Sequence, residues 1–155
     1  MPLLRAALSW NFVLATAICA SLLAQLIKVL LNLFIFHRFI AERMWGAGGM
    51  PSSHSATVCA MVVATGRYCG VNSPIFAIAA VLSIIVMYDA MGVRYETGEQ
   101  AKVLNRMFTE WMDQGFEQFQ LPHGKKLKEM VGHTPIEVVT GAALGIVLGF
   151  AMPKV

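Results

Sequence analysis

Charged residues are scarce in this sequence. Only 14% of the 155 residues are Asp, Glu, Lys or Arg, whereas 57% are hydrophobic, and the mean hydropathy is +0.62. An ordinary soluble domain has about 25% charged and about 45–50% apolar residues. The composition therefore excludes a typical soluble domain and predicts one membrane-embedded domain covering residues 1–155.

Cysteine is also scarce, and its placement is not that of a metal site. Cys19, Cys59 and Cys69 lie far apart in apolar segments, whereas metal-binding cysteines recur at short, regular spacings. We interpret all three as small buried hydrophobic residues. We expect no metal, no other cofactor and no nucleic-acid partner.

Apolar stretches that could each cross a bilayer occur at four places. A spanning helix needs about 20 mostly apolar residues, or somewhat fewer when its ends are polar. The first stretch resembles a secretory leader because Arg5 precedes it, but its apolar character continues to Phe36, which favours a retained anchor. The predicted spans are residues 10–36, 53–68, 74–90 and 135–152, of which the second is short.

Basic residues are distributed unevenly between the two faces that four spans would create. The first and third connections, on one face, contain Arg38, Arg43, Arg94, Lys102, Arg106, Lys125, Lys126 and Lys128. The other face has only Arg5, Arg67 and Lys154. Because cytoplasmic loops carry the excess of Lys and Arg, we expect an inner-membrane protein whose first and third connections lie in the cytoplasm.

The third connection, residues 91–134, contains an amphipathic pattern. Its apolar residues recur at spacings of three and four, with charged residues between them, as in a surface helix. These apolar positions are Val103, Leu104, Met107, Phe108, Trp111, Met112, Phe116 and Phe119. The predicted fold is therefore all-α: an integral membrane bundle of about four spanning helices, with a cytoplasmic amphipathic helix on the membrane surface or across the mouth of the bundle.

One stripe of the first predicted span is polar. Gln25, Lys28 and Asn32 fall at i, i+3 and i+7, so they share one face of a helix. Lys28 fits two hypotheses: its ammonium group reaches the nearby interface, or it faces a polar cavity inside the bundle. The shared stripe favours the cavity.

Helix capping explains some of the polar residues near the second and fourth predicted spans. Ser52 or Ser53 can cap the second span, and residues 134–137 form a capping box with proline at the first helical position. Capping explains neither His54 nor His133.

Five ionisable residues from three segments converge at one membrane surface in this topology. They are His54, Asp89, Arg94, His133 and Glu137. Two histidines, one with a carboxylate a turn away, fit covalent phosphoryl transfer: one imidazole attacks phosphorus, the carboxylate orients it, and the other imidazole protonates the leaving oxygen. Asp89 fits either a site carboxylate or an interfacial ion pair with Arg94.

The segments GGMPSSHSA, YDAMGVRYETGEQAKVLN and GHTPIEV resemble the type 2 phosphatidic acid phosphatase superfamily. The likeness is to its divergent branch of small membrane proteins related to acid phosphatases and vanadium-dependent haloperoxidases. The superfamily's Pro-Ser-Gly-His motif is similar to residues 51–54, which implies that His54 is the general acid. Its nucleophilic histidine, followed four residues later by aspartate, resembles His133 and Glu137.

Several positions depart from the superfamily pattern. Ser53 replaces glycine, Glu137 replaces aspartate, and Leu127 stands where an arginine precedes the nucleophile by six residues. Arg94 is the predicted substitute for this third-motif arginine. The first motif, a lysine with a downstream Arg-Pro pair, is represented at best by Lys28. Family members commonly act at the outer membrane face, whereas the charge distribution here places the site in the cytoplasm.

The resemblance implies a membrane phosphatase that hydrolyses a lipid phosphate or diphosphate through a phosphohistidine on His133. Lys28, Ser52, Ser53 and Arg94 would bind the phosphate, in part through the amides at a helix start. One alternative is a non-catalytic membrane protein that binds or translocates phosphorylated lipids in the same pocket. Another is a structural membrane component whose motifs only cap helices.

Overall fold

The computed structural model describes residues 11–36, 49–114, 126–129 and 131–154. Their regular structure is entirely helical, without a strand among them, which confirms the all-α class. The helices are α1 (Phe12–Phe36), α2 (Ser53–Cys69), α3 (Pro74–Met91), α4 (Val93–Asp113) and α5 (Pro135–Ala151). The bounds of the predicted spans match those of α1, α2, α3 and α5 to within about two residues. Trp10, at the start of the first predicted span, lies outside the described residues, as do Arg38 and Arg43 of the first connection.

Within the part of the chain that the structure describes, two helical stretches are long and apolar enough to cross a membrane. One is Phe12–Phe34 and the other lies within the helical stretch Pro74–Asp113, each with a mean hydropathy of 2.1. Only 28% and 17% of the residues in these apolar stretches are buried, whereas the core helix of a soluble protein is mostly buried. Large apolar side chains cover the outer face of α3: Ile75, Ile78, Val81, Leu82, Ile84, Ile85 and Tyr88 are exposed.

The membrane assignment rests on this exposure, because a large apolar surface is stable in lipid and not in water. Helix α5 is apolar but shorter, and α2 has 17 residues. A bundle in which all four helices cross the bilayer therefore stays a prediction.

Helices α2 and α5 approach each other closely through small residues. Gly141 and Gly145 face the backbone of Ser52 and Ala56, and a Cβ atom on either glycine would collide with that backbone. Gly149, one turn further, meets the side chain of Val63 in the same way. Small residues every fourth position let two helix backbones touch, as is common in membrane helices.

Alanine continues this packing on the other side of α2. Ala20 and Ala24 of α1 form a buried cluster with Ala56 and Ala60 of α2. Lys28 lies one turn beyond Ala24, on the same stripe, and is only 2% exposed. Its side chain is therefore enclosed by protein and does not extend to the interface.

The amphipathic helix begins earlier than its apolar pattern predicts. Helix α4 starts at Val93, directly after Gly92 ends α3, because the residues of its first turns are compatible with a helix although they lack the apolar repeat. The repeat's exposed members include Val103, Leu104, Met107 and Met112, while Phe116, Phe119 and Lys125 lie outside the described residues. The position of α4 relative to the membrane stays a prediction.

Candidate functional site

The starts of α2, α4 and α5 meet the end of α3 at one end of the bundle, and the site is built there. Gly132 has φ +86°, and a Cβ atom on it would collide with the backbone of Arg94 and Tyr95. Only glycine fits such a position. The next amide, of His133, donates to the carbonyl oxygen of Ala90 at 3.0 Å. These contacts fix the main chain of His133 against the junction of α3 and α4.

The imidazole of His133 is oriented by a carboxylate. Its Nδ1 lies 3.0 Å from Oε2 of Glu137, and the same oxygen accepts the Thr134 amide at 3.1 Å. Because a carboxylate accepts hydrogen bonds, the proton of the neutral ring is on Nδ1 and the lone pair is on Nε2. Glu137 therefore caps α5 and sets the tautomer of His133 at once.

The other ring nitrogen of His133 has no hydrogen-bond partner among the described residues. His133 is 3% exposed, and its Nε2 is buried. A buried polar atom without a partner is destabilising by about 1–3 kcal/mol, so native proteins have few of them. This Nε2 carries the lone pair that a nucleophilic histidine needs.

A small cavity at this end is lined by His54, Val86, Asp89, Ala90, Arg94 and His133. The rings of His54 and His133 have centroids 6.2 Å apart and meet edge to face at 63°. His54 is the second residue of α2, and its side chain is exposed. The structure therefore brings the two predicted histidines to one cavity from segments almost 80 residues apart.

Asp89 and Arg94 form an ion pair on the cavity wall, with Nε of Arg94 2.5 Å from Oδ2 of Asp89. Their side chains are 39% and 51% exposed, respectively, so solvent screens the pair and its contribution to stability is small. The two hypotheses for Asp89 are thus compatible, since the residue is paired and also lines the cavity.

Three predicted phosphate-binding residues do not line the cavity. The Ser52 hydroxyl accepts from the amide and hydroxyl of Ser55 at 3.3 and 3.0 Å, and the Ser52 amide donates to the Glu137 carbonyl oxygen at 2.9 Å. Ser53 accepts from Nε2 of Gln25 at 3.4 Å. Lys28 is buried nearby, and its charge interacts with that of Glu137.

The environment keeps His133 neutral near pH 7. Burial lowers the pKa of its imidazole, the hydrogen bond to Glu137 and the charge of that carboxylate oppose the decrease, and the charges of Lys28 and Arg94 add to it. The net effect places the pKa below its ordinary value of about 6.5. An unprotonated imidazole is the form that can act as a nucleophile or bind an electrophile.

The described residues include no group of three or more His, Cys, Asp or Glu side chains that could hold a metal ion. They do include functional contacts that the sequence did not single out, namely the Ala90 carbonyl, Gly132 and the glycines of α5. The four-residue spacing of Gly141, Gly145 and Gly149 is visible in the sequence and could have predicted the contact of α5 with another helix.

Comparisons with known proteins found a matching family and a relative. Residues 9–148 match the family described as "Divergent PAP2 family". A Bacillus subtilis (strain 168) protein named "Uncharacterized membrane protein YuiD" is 38% identical over 144 residues, covering 89% of this chain and 91% of the relative. No solved structure matches.

Proposed function

Because this chain belongs to the divergent PAP2 family, we propose that it is a membrane phosphatase that hydrolyses a lipid phosphate or diphosphate. PAP2 here denotes type 2 phosphatidic acid phosphatase. The proposal treats residues 1–155 as one phosphatase-like domain. It assigns the nucleophile to His133, the general acid to His54 and the orienting carboxylate to Glu137.

The observation that carries this proposal is the state of His133. Its Nδ1 is bonded to Glu137, while its buried Nε2 has no partner among the described residues and the side chain lines a cavity shared with His54 and Arg94. A purely structural histidine in a protein interior normally uses both ring nitrogens. A nucleophilic one keeps a free lone pair beside an orienting acceptor.

In the first step, the Nε2 lone pair of His133 attacks phosphorus and a P–N bond forms. The bond from phosphorus to the leaving oxygen breaks, and protonated His54 gives its proton to that oxygen. The products are a phosphohistidine and a lipid alcohol, or a lipid monophosphate when the substrate is a diphosphate. Glu137 stabilises the positive charge that develops on the His133 ring.

In the second step, water attacks the phosphohistidine and loses its proton to His54, which now acts as the base. The P–N bond breaks, inorganic phosphate leaves and the lone pair returns to Nε2. Both histidines regain their initial protonation states, so the cycle closes without a further reactant.

The cations that would bind the phosphate differ from those of the wider superfamily. Leu127 occupies the position of the third-motif arginine and does not line the cavity. Arg94 does line it, and we propose that its guanidinium moves from Asp89 to the phosphate when substrate binds. Buried Lys28 adds positive charge from behind His133, with Ser52 and Ser53 supporting the helix start beside it.

We place this site at the cytoplasmic face of the cell inner membrane, on four spanning helices, because of the cation distribution. Cys69, which the sequence led us to expect in the interior, is exposed at the end of α2 opposite the site, whereas Cys59 is buried. Met50 is exposed beside the site. An impermeant thiol reagent should therefore label native Cys69 in intact cells. It should spare Met50→Cys in a Cys69→Ser background. If the reagent labels Met50→Cys and spares Cys69, the site faces the outside of the cell.

Phosphate release by the purified protein in lipid, from a panel of lipid monophosphates and diphosphates, tests the activity. We expect turnover that persists with a chelator and is inhibited by vanadate, whose trigonal-bipyramidal form on His133 would mimic the transition state. Rapid quenching at alkaline pH should trap phosphate on His133, detected by mass spectrometry. Turnover that needs magnesium, or phosphate trapped on another residue, would contradict the mechanism.

A non-catalytic protein that binds or translocates phosphorylated lipids is the second candidate. The ion pair of Arg94 with Asp89 favours it, since the arginine that the described residues contribute to the cavity wall already has a carboxylate partner. Binding to vesicles that contain phosphatidic acid, without phosphate release, would support this candidate over the enzyme.

A further inference from the structure

Helix α4 has a buried face that the other described helices cover only at its start. Among the described helices it packs only against α3, which precedes it in the chain. Its buried residues are Gly98, Ala101 and Asn105, and together with Arg94 they recur at spacings of four, three and four, which places them on one stripe. The segment that leads to His133 covers this stripe.

Close backbone contact begins at Gly98. A Cβ atom on this glycine would lie 2.7 Å from the Glu129 carbonyl oxygen and 2.9 Å from that of Val131. Real Cβ atoms do not approach backbone oxygens so closely, so the segment could not lie this near α4 if residue 98 had a side chain.

Asn105 holds the same segment with both ends of its amide. Its Nδ2 donates to the Leu127 carbonyl oxygen at 2.9 Å and to Oε1 of Glu129 at 2.8 Å. Its Oδ1 accepts the Leu127 amide at 2.8 Å. Asn105 is 4% exposed, so these three bonds replace the water that its amide would otherwise bind.

From Asn105 the segment runs back along α4 towards the site. The Val131 amide donates to the Glu129 carbonyl oxygen at 3.1 Å, and Gly132 then contacts the start of α4. The segment thus contacts α4 at three places: at Asn105, at Gly98 and at the first turn. Immediately afterwards, the His133 amide donates to the Ala90 carbonyl oxygen.

We infer that α4 is the template that places the nucleophile, and that Asn105 is a positioning residue for phosphoryl transfer. This inference rests on the proposed function. Asn105 does not touch the cavity, and it acts through residues 127–132 on the position of the His133 ring. We call the three hydrogen bonds of Asn105 to this segment its clamp. Without the clamp the segment is free to shift on α4, and a displacement of about 1 Å at a reacting atom can lower a rate about 10²-fold.

The first test replaces Asn105 and measures turnover and substrate affinity separately. Asn105→Ala should lower kcat about 10–10²-fold with little change in KM, because the phosphate-binding Arg94 keeps its place. The matched control is Arg106→Ala, the next residue on α4, which loses only an exposed ion pair with Glu110. Equal kcat values in the two variants would overturn the inference.

Chemical modification of His133 tests the same inference without using activity. Buried His133 should react slowly with diethyl pyrocarbonate in the wild-type protein and several-fold faster in Asn105→Ala, as quantified by mass spectrometry. Arg106→Ala should match the wild type. If the wild type releases no phosphate from any lipid, the proposed function fails while this measurement still decides the positioning. An unchanged His133 rate in Asn105→Ala refutes it.

A donor–acceptor exchange guards against a variant that simply fails to fold. Asn105→Asp places a carboxylate against that of Glu129 and should impair kcat more than Asn105→Ala does. Adding Glu129→Gln supplies an amide that can donate to Asp at position 105, so the double variant should regain part of the lost kcat. A double variant no better than Asn105→Asp would show that the clamp does not position His133.

Discussion

The two ends of the α2–α5 helix pair each have a charged side chain at a terminus of α5. At the end opposite the site, Nη1 of Arg67 donates to the carbonyl oxygens of Gly149 and Met152 at 2.6 and 2.7 Å. Its guanidinium lies 5.5 Å from the Phe12 ring centroid, and Lys154 donates to the Arg67 carbonyl oxygen at 3.0 Å. At the site end, Glu137 caps the start of α5.

The difference lies in what each capping residue does besides capping. Arg67 satisfies the last carbonyl groups of α5, as a cation at a helix C-terminus should. Glu137 satisfies an orphan amide and also holds His133, whose second nitrogen has no described partner. A protein retains an unsatisfied buried group where it serves a function. One end therefore shows stability alone, whereas the other combines a helix cap with the His133 geometry on which the proposed chemistry rests.

Replacement of the proposed nucleophile should give the largest effect, because it should abolish turnover at the site end and leave the fold unchanged. His133→Gln should lower turnover about 10⁵–10⁶-fold, as loss of a catalytic nucleophile does in hydrolases, while the helical content stays normal. Phosphate release and circular dichroism on the same preparation measure both effects. If the variant keeps more than a hundredth of the wild-type turnover, the nucleophile is a residue other than His133.

His54→Ala tests whether the second histidine belongs to the chemistry or only follows a capping serine. If His54 is the general acid, turnover should fall about 10²–10⁴-fold with normal melting, since the cap of α2 belongs to Ser52. Substrates with a more acidic leaving group should lose less, because they need less protonation. Wild-type turnover would make PSSH at residues 51–54 a structural motif.

Glu137→Gln distinguishes the two roles of one side chain. Glutamine can still accept from the Thr134 amide, so the capping interaction survives and melting should stay near normal. The negative charge beside His133 is lost, and we expect turnover to fall about 10²–10³-fold. Full activity in this variant would show that Glu137 serves only as a helix cap and has no catalytic role through His133.

At the opposite end, Arg67→Met should show the reverse pattern. Loss of two charge-assisted hydrogen bonds should lower the free energy of unfolding by about 2–4 kcal/mol. Activity per folded molecule should stay within about twofold of the wild type. Denaturant unfolding in detergent and turnover normalised to the folded fraction provide the two values. If turnover per folded molecule instead falls together with stability, the Arg67 end of the bundle influences the site, and the two ends are not independent.

The smallest effects concern the acid limb of the pH profile of kcat/KM, which in the proposed mechanism reports the pKa of His133 in the free enzyme. Turnover needs the unprotonated ring, whose pKa is already below its ordinary value, so wild-type activity should persist somewhat below pH 6.5. Glu137 raises this pKa and Lys28 lowers it. Glu137→Gln should therefore move the limb to lower pH and Lys28→Met to higher pH.

Shifts in the same direction in both variants would show that the limb reports some group other than His133. The direction is the informative quantity, since Lys28→Met also weakens phosphate binding and lowers the absolute rate.

The sequence by itself determined the local features of this protein. Apolar runs and polar breaks predicted the bounds of α1, α2, α3 and α5, because these depend on residues within a turn or two. Residues 134–137 predicted the start of α5 in the same way, because a capping box has a fixed spacing. The motifs around His54 and His133 also sufficed to predict the family.

Only the tertiary structure decided which polar groups have partners and which do not. That Lys28 is enclosed, that Ser52 is engaged by Ser55 and Glu137, and that Nε2 of His133 has no described partner all depend on contacts between distant segments. The clamp at Asn105 was equally invisible, because its partners Leu127 and Glu129 lie more than 20 residues away. Such contacts exist because Gly141 and Gly145 let α5 reach the backbone of α2, and periodicity within one helix cannot specify which helix will be its neighbour.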